Sequence, residues 1–129
     1  NRTKSTGIKL IKHFKKFMGS KKTFEADLMG CNPDHEIDLL INCTSCGMNG
    51  KNPLDIDLSS MNKKSLVYDL VYEPTMTPLM QIAKEKKLYY TNGLYMLVRQ
   101  AAESFYRWFG VMPEDSDVKE VIRILKKND

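Results

Sequence analysis

Apolar residues recur at spacings of three and four in two parts of the chain, which is the repeat of an amphipathic helix. The first set predicts a packed N-terminal helix and consists of Ile8, Ile11, Phe14 and Met18. The second runs from Leu94 to Phe109 and predicts a long, mostly buried helix that stops at Gly110. Asp117 and Glu120 have the spacing of a capping box, which predicts a last helix over Val118 to Lys127.

Four short segments have the composition of β-strands, namely Lys22–Leu28, Ile37–Asn42, Leu66–Tyr72 and Leu88–Thr91. The third is β-branched and aromatic with little alternation, which is typical of a strand buried on both faces of a parallel sheet. Asp69 lies inside it, so we expect this carboxylate to have a partner and a structural role. Thr77 followed by Pro78 predicts the start of a helix that continues to about Lys86.

Strands that alternate with helices at these lengths predict βαβ units and a parallel sheet, so the fold class is α/β. Ligands of such sheets bind outside the carboxyl ends of the strands. Three polar or glycine-containing segments follow the predicted strands: Asn42–Met48, Tyr72–Pro74 and Asn92–Gly93. We therefore expect the functional site at this edge.

Composition places the chain among ordinary globular domains, with 129 residues of which 42% are hydrophobic and 28% charged. No apolar run is long enough to span a membrane. The three cysteines and the lack of an apolar leader favour a reducing, cytoplasmic location. Because the first residue is Asn1 rather than Met, we expect the chain to have been processed or excised, or to be part of a longer protein.

Charge is distributed unevenly: the first 23 residues hold eight basic residues and no acidic one, although the net charge of the whole chain is only +4. Such a segment is compatible with an arm for nucleic acid or anionic lipid, a transit peptide, or a solvated helix face. The helical spacing of its apolar residues favours the solvated face. We expect neither a nucleic-acid nor a membrane partner.

Four motifs in one order resemble the shikimate dehydrogenase family over essentially the whole chain. NRT at 1–3 is similar to the family's NRTxxR, and INCTSCGM at 41–48 to its INATxxGM. DLVYEPTMTPL at 69–79 is similar to DLVYNPxxTPL, and GLYMLVRQAAESFYRWFG at 93–110 to GLGMLVxQGAxxFxxWxG. The chain resembles the C-terminal, NADP-binding half only, because no glycine-rich GxGxx(G/A) loop is present.

The resemblance implies a partial Rossmann-like parallel sheet with flanking and C-terminal helices. Residues 1–110 would form an incomplete NADP-binding Rossmann domain that includes the substrate-contacting helix, and residues 111–129 a C-terminal helix packed on it. The family's N-terminal substrate domain, with its catalytic Lys and Asp, would precede Asn1, on the same or a separate chain. The first strand and phosphate loop of the nucleotide-binding domain would precede it too. We expect no catalytic residue here.

The family match also implies the cofactor site. The predicted NADP-binding residues are Asn1, Arg2, Thr3, Lys4, Asn42, Thr44, Ser45, Leu70, Gly93 and Met96. The Arg2 guanidinium would pair with the 2′-phosphate, but the family's second arginine falls at Thr6, with Lys4 or Lys9 as the alternative charge. Plain loop polarity and ordinary packing are the alternatives for the strand-end residues.

Tyr72 and Gln100 are the predicted substrate-binding residues, since a phenol and an amide can bind the carboxylate and hydroxyls of a small polyhydroxy acid. A buried amide satisfied by nearby backbone is the alternative for Gln100. Tyr95 stands where the family usually has a second glycine. Cys43 and Cys46 form a CxxC in the family loop, at the motif's alanine and at one of its variable positions, and we predict no metal site.

The resemblance implies an enzyme in which NADPH reduces 3-dehydroshikimate to shikimate, a step in aromatic amino-acid biosynthesis, with catalytic groups outside this chain. The chain alone is expected to be inactive. A quinate-specific or NAD-using relative is the nearest alternative. A truncated nucleotide-binding non-enzyme and a basic nucleic-acid-binding module are the others, and salt-dependent binding to nucleic acid would indicate the last.

Overall fold

The computed structural model describes residues 3–17 and 37–127. Within them lie four helices, α1 (Lys4–Lys15), α2 (Pro78–Glu85), α3 (Leu94–Phe109) and α4 (Asp115–Lys127). Three strands are β1 (Leu39–Asn42), β2 (Leu66–Asp69) and β3 (Tyr89–Asn92), and a single 3-10 turn covers Met48–Gly50. Asn1, Arg2, Met18 and the predicted strand Lys22–Leu28 lie outside the described residues.

The three strands form one parallel sheet in the order β1-β2-β3. Leu39 pairs with Leu66 and Leu66 with Tyr89, so the strands start and end level with one another. The connection from β1 to β2 contains the 3-10 turn, and the connection from β2 to β3 contains α2. The predicted α/β class and parallel sheet are confirmed.

The core lies where α2 and the segment before β2 cover one face of the sheet. Its buried residues are Leu58, Met61, Val67, Leu79, Ala83 and Leu88. The other face is less covered, because Leu66 and Tyr68 of β2 are only half-buried. Burial of this strand on both faces is therefore not found within the described residues, since unbroken apolar composition does not reveal what covers each face.

Local sequence signals placed the ends of two helices correctly. Thr77 caps α2, its side-chain oxygen accepting the Met80 N–H at 3.3 Å, and Pro78 is the first helical residue. Gly110 ends α3 with a φ of 72°, a left-handed conformation that costs glycine little. Both predictions are confirmed.

The start of α4 differs from its prediction by three residues. The helix begins at Asp115, and Asp117 accepts the backbone N–H of Glu114 at 2.9 Å. This is the reciprocal bond of a capping box with Glu114 as the N-cap. Asp117 is therefore the third helical residue rather than the cap, and Glu120 pairs with Arg123 on the helix surface.

Burial of two helices is lower than their apolar spacing predicts. Val98 and Ala102 of α3 pack against Val118 of α4, with Ile122 at the edge of this cluster. Beyond them α3 is exposed, and Trp108 is 77% accessible. On α1, Ile8 and Phe14 are also exposed, so the packed helix is not found in the described structure. Periodicity indicates an apolar face but not its partner.

None of the described helices is long and apolar enough to cross a bilayer.

Candidate functional site

The carboxyl ends of the three strands meet at one edge of the sheet. Asn42, Asp69 and Asn92 are the last residues of β1, β2 and β3, and they are in register with one another. The three segments that the sequence predicts to form a site therefore lie side by side. Parallel strands that end level with one another have their carboxyl ends at the same edge of the sheet.

A buried polar network ties these ends together. The Asp69 carboxylate is fully buried and accepts hydrogen bonds from the Asn42 amide at 2.9 Å, the Val71 N–H at 3.1 Å and the Thr77 hydroxyl at 2.6 Å. The Thr77 oxygen in turn accepts the Met80 N–H. The partner expected for Asp69 is confirmed, and it consists of neutral donors. Such fully satisfied networks hold loops in a defined position.

Asn42 organises the loop that follows β1. Its side-chain oxygen accepts both the backbone N–H and the hydroxyl of Thr44, at 3.0 and 2.7 Å, and its amide nitrogen also donates to the Cys46 carbonyl at 3.2 Å. Asn42 is only 3% exposed. Of the three loop residues predicted to bind cofactor, Thr44 and Ser45 are exposed, whereas Asn42 bonds within the protein.

The loops after β1 and β2 are joined by backbone. The Asn49 N–H donates to the Glu73 carbonyl at 2.8 Å, and the peptide bond from Glu73 to Pro74 is cis. Gly47 has a φ of 88°, and a Cβ there would lie 3.4 Å from the Pro78 ring. Tyr72, the residue before this junction, has an exposed side chain. Tyr72 therefore lies on the loop after β2, which is bonded to the loop after β1.

Gly93 allows α3 to start against the end of β2. A Cβ at this position would lie 2.2 Å from the Leu70 carbonyl oxygen, closer than any real contact. Gly93 is therefore required by the packing of two backbones, whatever it also offers to a ligand. Leu70, which the sequence predicts to bind cofactor, is half-buried at this contact.

Asn92 lies in one of the segments predicted at the site, but no individual role was predicted for it, and it holds two segments of the site together. Its amide nitrogen donates to the Thr75 carbonyl at 2.9 Å, and its oxygen accepts the Leu94 N–H at 3.2 Å. It thus fixes the loop after β2 and the first turn of α3. An asparagine between a strand and a glycine was the available signal, because such residues favour turns.

Met96 and Gln100 lie four residues apart on α3 and therefore on one side of the helix, one turn above the other. Both side chains are exposed. The alternative of a buried amide at Gln100 is accordingly wrong. An apolar side chain and a free amide are thus presented from a helix that begins at the shared strand edge.

The predicted N-terminal cofactor residues are only partly described. Asn1 and Arg2 lie outside the described residues, and Thr3 is exposed immediately before α1, where its carbonyl accepts the N–H groups of Thr6 and Gly7 at 3.1 Å. Lys4 is the first residue of α1. Their cofactor roles stay predictions.

The strand edge presents both polar and apolar side chains. Ser45 and Met96 are exposed and Leu70 is half-buried, while the N–H and the hydroxyl of Thr44 bond to Asn42 within the loop. A mixture of polar and apolar groups is compatible with one end of a dinucleotide. Within residues 3–17 and 37–127, no three His, Cys, Asp or Glu side chains are grouped as metal ligands. Cys43 and Cys46 are both free thiols.

A parallel sheet with α2 packed on one face and a polar strand edge defines this protein as an α/β protein with a Rossmann-like fold. A family model for the shikimate 5′-dehydrogenase C-terminal domain matches residues 93–123, which cover α3 and most of α4. A shikimate dehydrogenase (NADP(+)) of Azorhizobium caulinodans is 44% identical over 88 residues, covering 67% of this chain and 31% of that protein. The chain belongs to the shikimate dehydrogenase family.

Solved structures extend the comparison. A ligand-free 5-ketofructose reductase of Gluconobacter sp. covers 97% of this chain and 46% of its own, with a TM-score of 0.78; at 22% identity, this likeness concerns the fold alone. Shikimate 5-dehydrogenase of Thermus thermophilus with NADP(H) and shikimate has a TM-score of 0.60 and 32% identity, covering 69% of this chain and 34% of that one.

Quinate dehydrogenase of Corynebacterium glutamicum with NAD has a TM-score of 0.59 and 29% identity, and the match covers 67% of this chain and 30% of that one. The structural likeness therefore extends to relatives with a different named substrate and cofactor. The chain spans about a third of the length of the curated relative it matches.

Proposed function

We propose that this chain is the C-terminal, NADP-binding part of a shikimate dehydrogenase whose complete form converts 3-dehydroshikimate to shikimate. The observation that carries the proposal is the register of Asn42, Asp69 and Asn92, which gathers the segments with the family's motifs at one sheet edge. The 44% identity to an NADP-dependent relative supports the same assignment.

Bound NADPH would supply the hydride. Residues of this chain would position it: Met96 and Leu70 would contact the nicotinamide ring, and the exposed Thr44 and Ser45 would bind polar groups of the cofactor. Arg2 would pair with the 2′-phosphate through its planar fork, with Asn1, Thr3 and Lys4 beside it. The buried Asn42 would act by holding Thr44 in place.

The substrate would lie between this edge and the N-terminal part of the enzyme. Tyr72 and Gln100 are exposed on the loop after β2 and on α3, where a hydroxyl and an amide can bind a carboxylate or ring hydroxyls. No catalytic acid or base is assigned to this chain. These groups belong to the N-terminal part.

Exposed apolar side chains on α3, on α4 and on the segment that connects them are the groups on which that part would dock. We call them the α3–α4 apolar residues; they are Phe105, Trp108, Phe109, Val111, Met112, Val121, Ile124 and Leu125. An apolar set of this size is unusual on an isolated domain and is typical of an interface. The remaining two thirds of the matched relative's length supply an occupant.

An NAD-dependent quinate dehydrogenase is the second candidate. The observation that favours it is Thr6, exposed on α1 where the motif's second arginine would stand, because loss of that charge weakens selection for the 2′-phosphate. Titration of a complete enzyme with NADP and NAD decides between the two. Replacement of Arg2 by Gln should reduce NADP affinity more than NAD affinity, whereas equal losses would contradict its assigned role.

The decisive experiment is a chimera in which this chain replaces the aligned C-terminal part of the Azorhizobium relative. We expect NADP-dependent oxidation of shikimate by the chimera and none by the isolated chain. Circular dichroism and NADP binding would establish that the chimera is folded. A folded chimera that binds NADP without oxidising shikimate or quinate would overturn the proposal, as would turnover by the chain alone.

A further inference from the structure

One guanidinium joins the starts of α3 and α4. Arg99 donates from Nε to the Tyr95 hydroxyl at 2.8 Å, and its Cζ lies 5.1 Å from the centre of the Tyr95 ring. Its Nη2 donates to Asp115 Oδ1 at 2.5 Å, in the first turn of α4. Arg99 therefore contacts the first turn of each helix at once.

This cluster lies beside the residues proposed to contact ligand. Tyr95 and Arg99 are four residues apart and form one row on α3, and Met96 and Gln100 form the neighbouring row, each one position further along. A rotation or shift of the first two turns of α3 would move both rows together. The Tyr95–Arg99 row faces α4 through Asp115, whereas the next row is exposed.

We propose that Arg99 is a positioning residue: by bonding Tyr95 and Asp115 together, it fixes the start of α4 against the first two turns of α3 and so sets the orientation of Met96 and Gln100. Its effect on catalysis rests on the proposed function. Its effect on the two helices does not.

We expect Arg99 to affect the relative orientation of α3 and α4 more than the free energy of unfolding. Solvent-accessible ion pairs add little to the free energy of unfolding, and here Asp115 is largely exposed and Arg99 is half-buried. A guanidinium that makes two directed bonds through a rigid fork nevertheless selects one relative placement of its partners. The bonds that Arg99 donates to Tyr95 and Asp115 raise its pKa further, and a guanidinium is always charged in proteins.

Hydrogen exchange of the folded chain tests the effect on the helices. Arg99→Lys keeps the charge but loses the fork, and Tyr95→Phe keeps the ring but loses the acceptor. Arg123→Lys is the matched control, because Arg123 makes an equally short ion pair with Glu120 within α4 alone. The first helical N–H bonds are those of Leu97 to the Gly93 carbonyl and Val118 to the Glu114 carbonyl, so we expect faster amide exchange in residues 97–100 and 118–121 for the first two variants and no change in 97–100 for the control. Exchange equal to that of the control would overturn the proposal.

Kinetics of the chimera test the effect on the site. Arg99→Lys should lower kcat/KM for shikimate by roughly 10- to 100-fold, the scale of a small misplacement of binding groups, with a thermal midpoint like that of Arg123→Lys. An active parent with equal kcat/KM in both variants would overturn the positioning role. An inactive parent with altered exchange in Arg99→Lys would contradict the proposed function while supporting the link between the helices.

Discussion

At the scale of single residues, Thr77 illustrates how one side chain serves two structures. Its hydroxyl donates to the buried Asp69 carboxylate, and its oxygen accepts the Met80 N–H at the start of α2. The short side chain can do both only because β2 ends next to the first turn of α2. Its helix-capping role could be predicted from the sequence, whereas its bond to Asp69 depends on the packing.

Thr77→Val removes both bonds while preserving the shape of the side chain. We expect a loss of about 1 to 3 kcal/mol in the free energy of unfolding, because a cap is lost and a buried carboxylate loses a donor. Urea denaturation measures it. Thr91→Val on β3 is the control, since Thr91 is exposed. Equal midpoints for the two variants would contradict the structural importance of the network.

Gln100 is the residue through which the proposed substrate contact can be tested. Because the side chain is exposed, Gln100→Ala in the chimera should leave the thermal midpoint nearly unchanged. It should lower kcat/KM for shikimate by about 10- to 100-fold, the scale of one lost polar contact, with NADP affinity preserved. Gln81→Ala, at an exposed position on α2, is the control. An effect on stability with unchanged kcat/KM would reassign Gln100 to structure.

At the scale of elements, α4 shows the limit of a motif read without coordinates. Both Glu114–Asp117 and Asp117–Glu120 have capping-box spacing, and the structure uses the first. Spacing alone cannot choose between overlapping boxes, because the choice depends on where Val118 must point to pack on Val98 and Ala102. Helix ends are generally less certain than helices for this reason.

Alanine substitutions of Asp117 and Glu120 test which of the two capping boxes stabilises the start of α4. Asp117→Ala should cost about 1 kcal/mol in the free energy of unfolding, since it removes the acceptor of the Glu114 N–H. Glu120→Ala should have a smaller effect, because Glu120 makes a surface ion pair with Arg123. Thermal denaturation followed by circular dichroism compares them. Because Asp117 belongs to both boxes, the result for Glu120→Ala decides: a loss as large as that for Asp117→Ala would support the box predicted from the sequence.

At the scale of the whole molecule, the described fold leaves much apolar surface exposed to water. The sheet is covered well on the α2 side and less on the other, and the α3–α4 apolar residues are exposed. Exposed apolar groups cost free energy in water and favour association. An isolated chain is therefore expected to associate, either with itself or with a further part of the enzyme.

Self-association can be attributed to particular residues. We expect the isolated chain to form oligomers in sedimentation velocity experiments, and the double variant Trp108→Ser, Phe109→Ser to shift the distribution towards monomer without a lower thermal midpoint. Tyr89→Ser on β3 removes another largely exposed aromatic ring and is the control. A monomeric parent, or equal effects of both variants, would argue against the α3–α4 apolar residues as an interface.

The sequence by itself determined the α/β class, the parallel strands and the ends of α2 and α3. These depend on local physics: periodicity, the Thr77–Pro78 start and the glycine at Gly110. It also pointed to the strand ends, since their polar segments follow strands along the chain. Family motifs added roles for Arg2, Tyr72 and Gln100, which stay predictions.

Tertiary structure alone decided which side chains are available to a ligand. Asn42 is buried against Asp69 whereas Gln100 is exposed, although polarity in the sequence is the same for both. It also showed that Gly93 is required by the Leu70 backbone and that Arg99 joins two helices. Each of these facts depends on how residues distant in sequence approach one another, and that approach is set by packing rather than by local pattern.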